Sequence, residues 1–243
     1  MGGAGAQFLA ENLERLAAQQ DCQFDVVVSD QSPAGGLKAV CDHFSERLDV
    51  RWVSGEGVQR SGSANVNHAI RHSEAKFVKV LFQDDLLMDP NALRDTLSAL
   101  EQSGRHWALC GSCQTKDSLH FSGHRIPYLH PLIHFGRNTV SSPSVLTFER
   151  SPGLWFDETL KWLMDVDFYH RCSLTWGEPE IIPTAHVANR VHPHQVTHTI
   201  SPKIVLNELR AVRQKFRGDE TWAQTWEFYR QYGKNQLRAL RRS

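Results

Sequence analysis

Phe77-Val78-Lys79-Val80-Leu81-Phe82-Gln83-Asp84-Asp85-Leu86-Leu87-Met88 is the stretch on which the fold reading turns. Phe77, Val78, Val80, Leu81 and Phe82 are strand formers at strand length. The run ends abruptly in two adjacent carboxylates. Side by side they repel, and they are costly to bury unless a cation joins them. Asp89-Pro90 follows and predicts a helix start, with Asp89 as N-cap and Pro90 at the first helical position. The doublet therefore falls in a strand-to-helix loop at the carboxyl end of a strand, where open α/β sheets bind ligands. Asp84 and Asp85 either hold a divalent metal that in turn holds a phosphate, or are solvated loop acids. The segment alone leaves both readings open.

The same alternation runs outward in both directions. Phe8, Leu9, Leu13, Leu16 and Ala17 form one stripe of a helix over 7–19. Phe24–Ser29 reads as a buried strand ending at Asp30, 37–47 as weakly helical, and Val50–Val53 as a short strand. Ser63 caps a predicted helix running to Ser73, and a further helix spans 90–102. Trp107–Cys110 and Val145–Phe148 read as strands, Asp165–Leu174 as a helix, and Ile181-Ile182 and His186–Ala188 as two short strands. Residues 111–143 hold Pro127, Pro131 and Pro143 and read as loop-rich with short strands, and the chain is helical from Pro202 with a break near Gly218-Asp219. Strands and helices alternating at these lengths predict an α/β fold with a mostly parallel central sheet flanked by helices. The organisation expected is one domain over 1–200 and a helical C-terminal extension over 201–243.

Bulk composition narrows the function classes. The 243 residues balance 27 Lys+Arg against 27 Asp+Glu, so no global basic field calls for nucleic acid. No apolar run approaches the ~20 residues needed to span a bilayer. The first residues have neither a cationic segment nor a hydrophobic core, so no secretory signal is read there. Cys22, Cys41, Cys110, Cys113 and Cys172 are an odd, sparse set, which fits reduced thiols in a cytoplasmic protein. Cys110 and Cys113 lack the second pair of a zinc site, and Gly123, Pro127 and Pro131 argue against a helix presenting His120/His124 or His130/His134 together.

The architecture predicts three places for reactive groups, each at the end of a strand. Asp30 is placed to accept from a nucleobase or ribose, or to cap its own turn. The Asp84-Asp85 doublet is the second. The third is Asp165-Val166-Asp167-Phe168-Tyr169-His170-Arg171. Asp165 and Asp167 cannot share a helix face, so one faces the cleft and the other caps or pairs, with Arg171 four residues on. The apolar approach Leu160–Met164 would desolvate Asp165 and favour a basic carboxylate.

In this order and spacing, the chain resembles the inverting family 2 glycosyltransferases of the GT-A fold. Val27-Val28-Ser29-Asp30-Gln31-Ser32 resembles the family's strand and Asp-Asp-Gly-Ser turn. Ser63-Ala64-Asn65-Val66-Asn67-His68-Ala69-Ile70 resembles its Ala-rich, Asn-containing helix, and Phe82-Gln83-Asp84-Asp85 its DxD segment. Ser142–Arg150 resembles the strand before the acceptor region, Phe156–Asp167 the segment ending in the base motif, and Arg190–Thr197 a late loop closing on the diphosphate. The resemblance implies metal-dependent, inverting transfer of a sugar from a nucleotide-sugar, UDP being the commonest nucleotide, to an acceptor hydroxyl. It implies Asp165 as general base, and Asp30, Asn67, Asp84 and His192 as nucleotide-sugar contacts. Asp85 is implied as principal metal ligand, with Asp84 beside it, for Mn2+ or Mg2+. The acceptor implied is a carbohydrate or a lipid-linked carbohydrate, in cell-surface polysaccharide or glycolipid assembly at the inner face of the membrane.

Two departures stand out. Gln83 and Met164 replace acids that many members carry. The chain also starts almost at its first helix, without the usual first strand and its Pro-Thr-Tyr-Asn-like stretch. That absence favours a second reading, a catalytically impaired relative that binds nucleotide or acts as a scaffold. At the other end, Trp222, Trp226, Phe228, Tyr229, Tyr232 and Leu237 interleave with Arg230, Lys234, Arg238, Arg241 and Arg242. This is either a helix packed on the domain with a solvated basic face, or one that lies on a membrane surface or partner.

Overall fold

The computed structural model describes residues 2–32, 35–192, 200–219 and 221–240. It forms an α/β fold whose elements follow the expected alternation. Helix α1 (Gly2–Ala17) precedes β1 (Val26–Asp30), α2 (Lys38–Phe44), β2 (Val50–Ser54), α3 (Gly62–Arg71) and β3 (Phe77–Lys79). Then come β4 (Leu86–Leu87), α4 (Ala92–Ser103), β5 (Trp107–Thr115), β6 (Phe121–Arg125) and β7 (Leu146–Glu149). The chain continues through α5 (Met164–Trp176), β8 (Glu180–Arg190), α6 (Pro202–Lys215) and α7 (Trp222–Leu240).

The strand pairing is more mixed than alternation alone suggests. β1 and β2 form a two-stranded parallel sheet by themselves. The larger sheet runs β3-β7-β5-β8-β4, with β6 added to β5. Among the described residues only β5 and β8 are parallel within it; β3/β7, β5/β7, β4/β8 and β5/β6 are antiparallel. Among the described residues β1 pairs only with β2 and β3 only with β7, so each leaves one edge without a strand.

Local chemistry explains where element boundaries moved. β3 is three residues long: Val80 N still donates to Leu146 O of β7 at 3.2 Å, but Phe82 N turns away to Ser144 Oγ at 2.9 Å. Helix α4 begins at Ala92, not at Pro90. Asp89 is not its N-cap, since its carboxylate accepts from Asn91 N (2.8 Å) and pairs with His186 Nδ1 (2.8 Å). Ser61, not Ser63, caps α3, accepting from Ala64 N at 3.1 Å, while the buried Ser63 donates to Leu160 O. The two short strands expected at 181–188 are one strand, β8, interrupted by a bulge. Cys110 pairs with Ile182 but Gly111 with Ala185, so Pro183 and Thr184 are looped out. Proline lacks the ladder N–H, and a bulge is where a central strand tolerates it.

The main core packs α4, α5 and α6 against the larger sheet. Trp107, Phe148, Phe168 and Tyr169 are fully buried at its centre, and Phe156 stacks on Phe168 at 4.0 Å. A second core lies under α1, where Leu9 and Leu13 meet Cys41, Phe44 and Leu48.

The bulge imposes one glycine. A Cβ on Gly111 would lie 2.5 Å from Pro183 O and 2.7 Å from Thr184 O, both backbone atoms. Gly111→Ala should therefore destabilise the protein by about 2–4 kcal/mol in urea unfolding. A loss below about 0.5 kcal/mol would show that the bulge relaxes freely.

Candidate active site

The first two pieces of the site are the carboxylate loop and what holds it. Asn12 of α1 donates Nδ2 to Phe82 O (3.1 Å) and Gln83 O (3.2 Å), pinning the loop from one side. Arg190, at the end of β8, donates to Asp84 O (3.2 Å), to Ser118 Oγ (2.6 Å) and to Glu11 Oε2 (2.7 Å). Its guanidinium also lies 4.4 Å from the Phe8 ring centre. A planar cation with several donors is suited to tying three segments together. The first helix is thus part of the site's frame.

Within the loop the two carboxylates differ. Asp84 is partly exposed, and its Oδ2 lies 3.0 Å from His192 Nε2. Asp85 is buried, and its Oδ2 accepts from Ser142 Oγ at 2.8 Å. Burial, reinforced by the Asp84 charge, pushes the Asp85 carboxyl up to about 6, against the hydroxyls and amide around it. Nearby, the half-buried Lys79 donates Nζ to Ser144 O at 2.5 Å, and desolvation holds its ammonium below the ordinary lysine range.

The same loop that meets Asp85 also meets Asp165. Asn138 Nδ2 donates to Asp165 Oδ2 at 2.9 Å, and its Oδ1 accepts from Val140 N and Ser141 N. Ser141 sits at φ 140°, a backbone region that residues with a Cβ rarely adopt. It is over-determined there: Ser112 Oγ donates to its hydroxyl, and that hydroxyl donates to Asn189 Oδ1 at 2.7 Å. Asn189 Nδ2 in turn donates to Ser142 Oγ at 2.6 Å. One polar chain therefore runs from Asp85 through Ser142, Asn189, Ser141 and Asn138 to Asp165.

Asp165 occupies the first turn of α5 and remains partly open to solvent, with Leu163, Met164 and Val166 buried around it. Burial pushes its carboxyl up to about 7, with the Glu208 charge adding in the same direction against several hydrogen bonds. Asp167 faces the other way. Its fully buried carboxylate pairs with Arg171 (2.8 Å) and Lys215 (2.8 Å). This is the division of labour expected from their spacing.

Sequence reading did not find the group that sets the start of α5. The carboxylate of Glu208, in α6, accepts from the backbone N–H groups of Lys161 (2.8 Å), Trp162 (2.9 Å) and Leu163 (2.9 Å). It caps the helix from another element. The only sequence signal was an acid on the otherwise buried face of α6, beside Val205, Leu209 and Val212.

Two expected ligand contacts have other partners. Asp30 is buried, and its carboxylate accepts from Ser32 N, Ser32 Oγ, Leu37 N and Trp52 Nε1. Burial would raise its carboxyl, but those bonds outweigh burial and hold it below the ordinary range. Asn67 bridges α3 to the segment before α5: it donates to Phe156 O and Glu158 Oε1 and accepts from Phe156 N. His192 is described, whereas 193–197 of the late loop lie outside the described residues.

A divalent ion is tested by the donor set. Among the described residues no group of three or more His, Cys, Asp or Glu could hold a metal ion by itself. Asp84 and His192 converge as an oxygen–nitrogen pair beside a buried second carboxylate, which fits an ion that takes its remaining ligands from phosphate oxygens.

The fold is that of the GT-A glycosyltransferases. The glycosyl transferase family 2 model matches residues 4–185, and the chain belongs to that family. No significant match to a curated protein sequence is found. Solved structures share the fold. S. aureus TarS 1-349 in complex with UDP-GlcNAc is 15% identical with a TM-score of 0.72, covering 95% of this chain and 69% of that one. The mannosyltransferase PcManGT from Pyrobaculum calidifontis, in complex with GDP-Man and Mn2+, is 14% identical with a TM-score of 0.63, covering 98% and 72%. The longer TarS structure is 15% identical with a TM-score of 0.69, and this chain spans 41% of it.

Two outcomes test this geometry. Glu208→Ala leaves three buried backbone donors without their acceptor and should cost about 2–4 kcal/mol of stability, measured by denaturant unfolding. For Asp165, a raised carboxyl favours the folded state below its ordinary value of about 4, and that contribution is lost as pH rises through about 7. Asp165→Asn should therefore gain in melting temperature over wild type as pH goes from 6 to 8, and show no gain at pH 4. An equal difference at all three pH values would contradict the assigned burial.

Proposed function

We propose that the protein transfers a sugar from a nucleotide-sugar to an acceptor hydroxyl with inversion at the anomeric carbon, and that Asp165 is the general base. The observation that carries this is Asp165 itself: a carboxylate raised to about 7, partly open, and held by Asn138 in the loop that also touches the Asp85 carboxylate. A base near neutral pH is matched to taking a proton from a hydroxyl as it attacks. Attack from the Asp165 side expels the nucleoside diphosphate on the Asp84 side in a single displacement.

The donor site is proposed at the carboxylate loop. Asp84 and His192 would hold a divalent ion, Mn2+ or Mg2+, with Asp85 as the buried carboxylate behind them. The ion would supply charge neutralisation to the leaving diphosphate. Asp85 is proposed as the principal carboxylate ligand from that buried position, since Ser142 engages only one of its oxygens. Asp30 is proposed to shape the nucleoside end of the cleft through the loop it ties to Trp52. UDP is the proposed nucleotide; UDP-GlcNAc and GDP-Man in the two relatives support the donor class. A carbohydrate or lipid-linked acceptor, and a role in cell-surface polysaccharide or glycolipid assembly on the cytoplasmic side of the membrane, complete the reading. Five cysteines without a disulfide support a reducing compartment.

The test is a panel of nucleotide-sugars with product detection. Asp165→Asn should lower turnover by about 10²- to 10⁴-fold while donor binding persists. Wild-type turnover should rise with pH through about 7 as Asp165 loses its proton. A chelator should abolish turnover and Mn2+ should restore it, with Asp84→Asn and His192→Ala needing about 10- to 100-fold more Mn2+. Metal-dependent nucleotide binding with no turnover across the panel would favour the impaired relative instead.

A further inference from the structure

Helix α7 presents its aromatic residues on two opposite faces. Phe228 is buried, stacks on Tyr232 and meets Phe135 edge-on at 5.9 Å, so one face is packed onto the domain. The opposite face is apolar too. Trp222 is 90% exposed, Trp226 73%, Tyr229 58% and Leu237 60%. Their spacing of four, three and eight residues, with Gly233 between, keeps them within less than a quarter of the helix circumference. From Trp222 to Leu237 the stripe is about 22 Å long. Two fully presented tryptophans on a soluble surface call for an occupant.

Charge selects the occupant. Residues 202–243 carry ten Lys+Arg against four Asp+Glu, in a chain balanced at 27 to 27. Two of those acids are engaged internally: Glu208 caps α5, and Glu227 is paired with Arg230 at the base of the helix. Lys234 is exposed beside the stripe, and Arg213 of α6 lies under the Tyr229 ring at 5.1 Å. A second copy placed on this face would bring like charge against like charge. An anionic bilayer would not, and indole and phenol rings favour the boundary between headgroups and acyl chains.

We infer that α7 lies flat on an anionic lipid surface, with Trp222, Trp226, Tyr229 and Leu237 entering the headgroup boundary and the surrounding cations meeting lipid phosphates. The inference goes beyond the sugar-transfer reading and does not depend on it. It also has a geometric consequence for the cleft. The packed face of α7 holds Phe135, and three residues further along the chain Asn138 grips Asp165. The surface-bound helix is thus joined to the acceptor side of the site by a short, packed segment.

The experiment is co-sedimentation of the full-length protein with vesicles of phosphatidylcholine alone and of equimolar phosphatidylcholine and phosphatidylglycerol. Wild type should pellet with the anionic vesicles and not with the zwitterionic ones, and less so at high salt. The double variant Trp222→Ala/Trp226→Ala should partition about tenfold less, with an unchanged melting temperature because both rings are exposed. Lys234→Glu should weaken binding in the same direction. Equal pelleting of wild type and the double variant would overturn the inference. So would sedimentation velocity showing that the double variant converts an oligomer to monomer while vesicle binding stays intact, since the face would then belong to a second copy.

Discussion

Two carboxylates taken out of water need donors around them, and here both are served by one short loop. Asn138 reaches Asp165, Ser142 reaches Asp85, and the strained Ser141 between them is locked by Ser112 and Asn189. Without those bonds each carboxylate would face a desolvation cost that no neighbouring cation fully offsets. The loop therefore links the two carboxylates at the same time as it makes burial tolerable. Burial still leaves both carboxyls raised, Asp165 to about 7 and Asp85 to about 6, which is what the proposed base and the proposed cation site each draw on.

Around that loop the two ends of the chain act as brackets. Asn12, Glu11 and Phe8 of α1 hold the Asp84 side, the last two through Arg190. Glu208 and Lys215 of α6 hold the Asp165 side, one at the backbone before α5 and one at Asp167. Segments that look peripheral in sequence order are thus mechanically central. A helix capped from outside is set in position by tertiary contact, so displacement of α6 would be felt at Asp165 directly.

The fold was legible because alternation of apolar runs and helical stripes is a local signal. Among the described residues β1, β2, β7 and helices α2 to α7 fall where composition and periodicity put them, within a few residues, whereas α1 starts five residues earlier and β5 runs five residues further. The boundaries that moved did so for reasons set by partners far along the chain: Asp89 is engaged by His186, and Pro183 is relieved by a bulge opposite Gly111. Strand direction was not legible, since a residue pattern carries no information about which neighbour it pairs with.

The site divides in the same way. By itself the sequence singled out Asp84-Asp85 and Asp165 as candidate carboxylates and determined that Asp165 and Asp167 point apart, because helix geometry and desolvation by neighbours act within a few residues. Tertiary structure decided which atoms those groups face. It engaged Asp30 and Asn67 internally, set Asp84 and not Asp85 against His192, and brought Glu208, some 45 residues downstream of the segment it caps, onto three backbone donors. Hydrogen bonds are short-ranged and directional, so their partners are known only once the chain has closed on itself.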